Sequence, residues 1–228
     1  DVPCRIITFG MHHTADYCAQ NISFDSNGDG VFDLVYQGKP TGDSIHLNVI
    51  GEHNIANALS SIAIAQFYDI PMDAIQEGLN AFHGTERRFE QKGSFNGVTV
   101  VDDYAHHPTE ITATLHAAEK FPHKHLWCVF QPHTYSRTRA LLPEFAKALS
   151  KAEHILLVDI YAAREKDPGD ISSRTLQEEI KKHGKDALYF PSFEEAEKYL
   201  SEKCIDGDLL ITMGAGNVVE IGEHLVQK

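Results

Sequence analysis

The 228-residue sequence predicts an α/β protein, a mostly parallel sheet with helices on both faces, preceded by small antiparallel strands and two helices. Three observations carry that expectation. From Val98 onward, apolar runs of strand length alternate with segments of helical period. Runs such as Ile155–Val158 and Leu209–Thr212 are almost continuously apolar, as strands covered on both faces must be. Ahead of Val98 the order differs: short β-rich runs joined by polar turns come first, then two amphipathic stretches.

The elements follow in order. Cys4–Phe9, Tyr17–Phe24, Val31–Tyr36 and Ile45–Ile50 read as strands of a small antiparallel unit. The turn Asp25-Ser-Asn-Gly-Asp-Gly30 resembles a calcium loop at its first positions, but Tyr36 stands where a bidentate carboxylate is needed, so a hairpin turn is expected. Glu52–Tyr68 carries Ile55, Ala58, Leu59, Ile62 and Ala65 on one helical stripe, and Pro71 opens a second helix with Ala74, Ile75, Leu79 and Phe82. Gly84–Glu90 is a charged linker. Strands are then expected at 98–103, 125–130, 154–160, 187–190 and 208–213, and helices at 108–121, 138–150, 173–183, 193–203 and 217–227. The boundary falls near residue 93, giving domains 1–93 and 94–228.

Composition excludes several functions. A formal charge of −13 speaks against a nucleic-acid or anionic-membrane partner, because those surfaces need a basic excess. Apolar runs are too short to span a membrane and no leader pattern is present, so a cytoplasmic protein is expected. The four cysteines form no C-x-x-C pair and read as free thiols of a reducing compartment. Fourteen histidines invite a metal, with His12-His13, His106-His107 and His123-Lys-His125 as lures. Adjacent strand residues point to opposite faces and no zinc spacing supports them, so no metal site is expected.

The chemistry concentrates at strand ends. Asp102-Asp-Tyr-Ala-His-His-Pro-Thr-Glu110 closes one expected strand, and Phe130-Gln-Pro-His-Thr-Tyr-Ser-Arg-Thr138 closes the next. Open parallel sheets place their sites outside the carboxyl ends of strands, beside helix N-termini. Asp at a strand end suits a ribose hydroxyl, and His beside Tyr suits an amine or carboxylate; capping of the following helix by His106 or His107 is the structural alternative. Asn54 and Asn57, spaced i, i+3, share a helix face, and carboxamides can read an adenine edge. Arg87-Arg88 is ordinarily a solvated pair, though an interdomain arginine can neutralise a transferring phosphoryl group. Gly214-Ala-Gly216 lacks the third glycine of a dinucleotide fingerprint and reads as a tight strand-to-helix turn. No G-x-x-x-x-G-K-[ST] phosphate loop occurs.

Together, Gly51-Glu-His-Asn-Ile-Ala-Asn57, Arg87-Arg-Phe89, the Asp102 and Phe130 clusters and Met213-Gly-Ala-Gly216 resemble the Mur ligases of bacterial cell-wall synthesis in order and spacing. The resemblance implies three domains, of which residues 1–93 would be the C-terminal remnant of the central ATP-binding domain and 94–228 the whole Rossmann-like C-terminal domain. The phosphate loop and Mg2+ ligands would then lie upstream of Asp1, in N-terminal domains, leaving this chain inactive alone. The implied reaction joins L-alanine to UDP-N-acetylmuramate through an acyl phosphate made with ATP. His53, Asn54, Asn57 and Asp103 would hold the nucleotide, Arg88 the transferring phosphoryl group, and Tyr104, His106 and Arg137 the L-alanine. Catalytic roles fall to Arg88 and His106. Many members carry Arg where this chain has Thr134, so one cation of that pocket is missing. A murein tripeptide-recycling ligase of the same family, and a non-catalytic nucleotide or amino-acid binding module, are the alternatives.

Overall fold

The computed structural model describes residues 4–11, 14–26 and 28–227; the His12-His13 pair and the centre of the Asp25–Gly30 turn lie outside the described residues. The chain forms two compact units, residues 1–84 with 119–121, and residues 85–118 with 122–228. The divide falls at Gly84 rather than near residue 93, because residues 90–95 pair into the second sheet.

The first unit is a four-stranded sheet, β1 (Phe9–Gly10), β2 (Tyr17–Phe24), β3 (Asp29–Tyr36) and β4 (Lys39–Ile50), in that order. It is mixed, not wholly antiparallel: β1 is shorter than its apolar run suggests and pairs in parallel with β2. The Asp16 carboxylate accepts the backbone and hydroxyl hydrogens of Thr8, both at 2.8 Å, and ties the segments side by side. Strand periodicity carries no information about direction, which is set by the pairing of Phe9 with Tyr17 and Gly10 with Cys18. Helices α1 (Glu52–Phe67) and α2 (Met72–Ala81) follow. Ile55, Ala58, Leu59 and Ile62 of α1 are buried with Phe32, Leu34, Ile45 and Leu47 of the sheet, as the 3.6-residue stripe demands. Only Ile75 of α2 is buried, and Phe82 lies exposed beyond the helix end.

The second unit is a six-stranded sheet of β5 (Glu90–Phe95), β6 (Val98–Asp103), β7 (Leu126–Phe130), β8 (His154–Leu157), β9 (Ala187–Tyr189) and β10 (Leu209–Met213). The spatial order is β5-β6-β10-β7-β8-β9, all parallel except the edge strand β5. Strand β5 lies between the expected linker, which ends at Glu90, and the strand expected from residue 98, where the sequence pattern predicts no element. Its hairpin turns at Asn96-Gly97, both with positive φ (48° and 79°), the residues that a two-residue turn with the right twist favours.

Six helices complete the unit: α3 (Pro108–Ala118), α4 (Tyr135–Ala140), α5 (Leu142–Leu149), α6 (Ser173–Lys182), α7 (Phe193–Lys203) and α8 (Val219–Val226). The single helix expected over 138–150 is broken at Leu141, and Pro143 sits in the first turn of α5. Proline has no N–H to bond backward and clashes with the preceding turn, so it is tolerated only at a helix start.

Strand alternation divides the core. Val98, Val100, Val129, Leu156 and Leu210 pack with Leu200 of α7 and with Ile221 and Leu225 of α8. On the other face Phe130 meets Phe145 of α5, ring centroids 5.7 Å apart. Among the described residues no helix is long and apolar enough to cross a membrane.

The topology also positions the chemistry. Strand β10 enters between β6 and β7, so three strand ends, at Asp103, Met213 and Phe130, stand side by side. Leu210 lies in this central strand with no exposed surface. Leu210→Ala is expected to lower stability by about 3 kcal/mol, through lost transfer energy and an unfilled cavity, as read by urea unfolding.

Candidate active site

Arg87 organises the carboxyl ends of β6 and β10. Its Nε donates to Oδ2 of Asp102 at 2.8 Å, while Nη1 and Nη2 donate to the carbonyls of Gly216 (3.0 Å) and Gly214 (2.8 Å). The other Asp102 oxygen accepts from the Thr212 hydroxyl at 2.7 Å. Burial pushes the Asp102 carboxyl up, with Arg87 and Thr212 working against it. Thus Arg87 is not half of a solvated pair but the counter-ion of a carboxylate with 0% exposure. Its backbone φ of 57° is uncommon outside glycine and persists here through the contacts around it.

Asp103 is held as firmly. Its two oxygens accept the amide hydrogens of Phe89 (2.9 Å) and Ala105 (2.8 Å), and burial raises its pKa against those bonds. Its carboxylate therefore serves the shape of the loop. Beyond it, the Tyr104 ring lies under both arginines, 4.9 Å from the Arg87 guanidinium carbon and 5.8 Å from that of Arg88. Arg88 is half-exposed, with Glu110 at 3.7 Å. Of the two arginines, only Arg88 presents its charge to solvent and a ligand.

His106 Nδ1 lies 2.9 Å from the Tyr104 carbonyl, an acceptor only, so Nδ1 carries a proton and Nε2 is the acceptor of the neutral ring. Glu110 accepts the His106 amide at 3.0 Å. Burial works to raise the Glu110 pKa, but that amide, with His106 and Arg88, leaves it lowered. His107 takes the capping role instead, its Nδ1 accepting the Thr109 amide at 3.3 Å.

The end of β7 brings a second group. The His133 ring lies 5.8 Å from that of His106 and stacks on Tyr161 at 5.6 Å. Arg137 Nη1 donates to the His133 carbonyl (2.8 Å) and approaches its Nδ1 (3.2 Å). Arginine only donates, which makes His133 Nδ1 the acceptor; burial and then Arg137 lower the pKa of this imidazole. Gln131 ties β7 to the loop after β10: Nε2 donates to Asn217 and Oε1 accepts the Val218 amide, both at 3.2 Å. Gly214 in that loop has φ of 149°, and a Cβ there would stand 2.7 Å from the Gln131 carbonyl.

Arg88, Tyr104, His106 and Arg137 thus share one end of one sheet. Sequence reasoning missed Glu165, in the loop after β8. It accepts from the Thr134 hydroxyl at 2.6 Å and from both the amide (2.8 Å) and the hydroxyl of Ser136, pinning the start of α4. The signal was its place, a carboxylate beyond the third neighbouring strand end. His53, Asn54 and Asn57 belong to the first unit, on α1. There Asn54 donates to the Ile50 carbonyl at 2.9 Å, and Asn57 donates to Asn54 Oδ1 at 3.0 Å, so the two carboxamides form one ordered row.

Removing Arg87 leaves the Asp102 carboxylate buried without its cation. Arg87→Ala is therefore expected to cost about 3 kcal/mol in chemical unfolding, and Arg88→Ala less than about 1 kcal/mol. Equal losses would reject this division of labour. Hydrogen bonds from Ser136 and then Thr134 pull the Glu165 pKa from 4.5 to about 2. A carboxyl depressed on folding stabilises above its unfolded value and loses that contribution as pH falls toward its folded value. Glu165→Gln should thus be less stable than the parent above pH 4.5, and the gap should close between 4.5 and about 2 in unfolding titrations.

Comparison with known proteins gives these groups a context. Residues 87–216 match the family described as Mur ligase, glutamate ligase domain, and residues 1–65 match the Mur ligase middle domain. A UDP-N-acetylmuramate–L-alanine ligase of Lachnoclostridium phytofermentans is 52% identical over 238 residues, covering 100% of this chain and 50% of that protein. The crystal structure of the UDP-N-acetylmuramate-alanine ligase of Thermotoga maritima superposes with a TM-score of 0.80 at 27% identity, covering 97% of this chain and 47% of that one. A murein peptide ligase of Psychrobacter arcticus gives 0.63 at 26% identity, covering 94% and 44%. The chain spans about half the length of the curated relatives it matches. With a family match running from residue 87 to 216 and another over its first 65 residues, the chain belongs to the Mur ligase family.

Proposed function

We propose that this chain is the nucleotide-covering and amino-acid-binding part of an ATP-dependent ligase that joins L-alanine to UDP-N-acetylmuramate in peptidoglycan precursor synthesis. The observation that carries the reading is the 52% identity to an alanine-adding relative along the whole chain. We assign the first unit, residues 1–84 with 119–121, to the end of the ATP-binding domain and the second unit to the C-terminal domain. The substrates, a nucleotide sugar and ATP, place the reaction in the cytoplasm.

The geometry supports a division of roles. In the reaction a muramoyl carboxylate takes the γ-phosphoryl group of ATP, and the alanine amine displaces phosphate from the acyl phosphate to leave an amide. Such transfers depend on positioning and charge neutralisation. Arg88 is the exposed cation suited to the transferring group. His106, with Nε2 as acceptor, suits the alanine amine, Tyr104 walls the pocket, and Arg137 pairs with the carboxylate. Thr134 is uncharged and supplies no second cation, and its hydroxyl donates to Glu165. In the first unit His53, Asn54 and Asn57 are the groups suited to an adenine. In the second, Asp103, the residue assigned to the nucleotide's ribose, also shapes its own loop.

The family also implies Mg2+. The site's buried carboxylates do not fit it, because Asp102 and Asp103 are taken up by Arg87, Thr212 and backbone amides.

The chain alone is expected to release no phosphate from ATP. Joined to the N-terminal half of a close relative, it should release phosphate only with UDP-N-acetylmuramate and L-alanine both present. In that protein Arg137→Ala should raise KM for L-alanine about tenfold or more, the loss of a charge-assisted hydrogen bond. ATP hydrolysis by the isolated chain would overturn the reading, and turnover with a murein tripeptide instead of L-alanine would move it to the recycling ligase.

A further inference from the structure

We propose that His125, Glu153 and His154 form a binding site for a divalent transition-metal ion of the zinc type. The site lies at the amino ends of β7 and β8, the opposite end of the sheet from the candidate active site. His125 directly precedes β7, and Glu153-His154 opens β8. The parallel pairing of these strands sets Trp127 opposite His154 and so draws the three side chains together.

The geometry is that of a set nearly closed. One ligating atom from each residue lies within 4.8 Å of the others. His125 Nδ1 is already 3.0 Å from Glu153 Oε2, and the two imidazole centroids are 5.9 Å apart. Ligands on a tetrahedral ion with bonds near 2.0 Å stand about 3.3 Å from one another, so side-chain rotation alone closes the set. Two imidazole nitrogens and one carboxylate suit Zn2+, Ni2+ or Cu2+; Mg2+ and Ca2+ want oxygen. Glu153 and His154 also border a surface cavity of about 410 Å³, shared with Lys185, Asp186 and Tyr199, which leaves room beside them for water or an exchangeable ligand.

One ligand is also supported from behind. The His154 ring stacks on the Trp127 indole, centroids 4.0 Å apart and planes at 22°. That indole is fixed in turn by its N–H donating to the buried Asp208 at 2.8 Å. Metal-binding histidines depend on such supporting contacts to hold their orientation. Neighbouring histidines along the sequence could not reveal this set, because its members come from the starts of two separate strands.

The same stack supplies the readout, since Trp127 is the only tryptophan of the chain. The tag-free chain is titrated with Zn2+ by calorimetry and with Cu2+ or Ni2+ by tryptophan fluorescence. The expected result is saturable binding of about one ion with quenching at the same stoichiometry, and a melting temperature that rises with Zn2+. His125→Ala and Glu153→Gln leave the indole stack untouched and should weaken binding at least about tenfold. His116→Ala, an exposed histidine on α3, should leave it unchanged. Absence of binding overturns the proposal, as does Zn2+ uptake or Cu2+ quenching that persists unchanged in both ligand variants.

Discussion

At the end of β6 the Asp102 carboxylate is enclosed on every side, and it is tolerable there because Arg87 and Thr212 meet its two oxygens. The same guanidinium gathers the carbonyls of Gly214 and Gly216, so one side chain joins the segment entering β5 to the loop leaving β10. A buried charge needs its partner far more than a surface charge does, and that makes this link the constraint on which the candidate site depends. Tyr104, whose amide donates to the Arg87 carbonyl at 2.6 Å, and Phe89, whose amide reaches Asp103, are placed by it. Arg88 is thereby left as the outward-facing cation.

The two arginines show how neighbours of one type diverge. Residue 87 turns inward through a positive φ, whereas residue 88 stays half-exposed beside Glu110. A similar exchange occurs at the end of β7, where Glu165 holds Thr134 and Ser136 and so sets the helix start that carries Arg137. In both places a carboxylate holds a strand-end loop in place beside a neighbouring arginine. The opposite end of the sheet repeats the pattern with different chemistry, where Asp208 fixes Trp127 and Trp127 supports His154.

Much of the second unit was legible in its sequence. Strand β6 and helix α7 lie where their patterns put them, because continuous apolar runs and a 3.6-residue stripe each satisfy one kind of burial. Strand β5 was not read, although Asn96-Gly97 announces a hairpin, because Gly93, Lys92 and Gln91 carry no apolar alternation. The break at Leu141 was hidden by amphipathic periodicity that ran through Pro143. At the site, residue types pointed to Tyr104, His106 and Arg137 and motif order pointed to Arg88, but no local pattern shows that Arg87 turns inward against Asp102.

The sequence by itself determined the alternation of strand and helix, the polar strand ends and the family, since all three are carried by local pattern or motif order. Tertiary structure alone decided that β10 lies between β6 and β7, that β1 runs parallel to β2, and that Arg87 is buried against Asp102. It also decided that His125 meets Glu153 and His154. Those facts rest on pairings between distant segments, where register and direction come from hydrogen bonds and buried charge that no local period encodes.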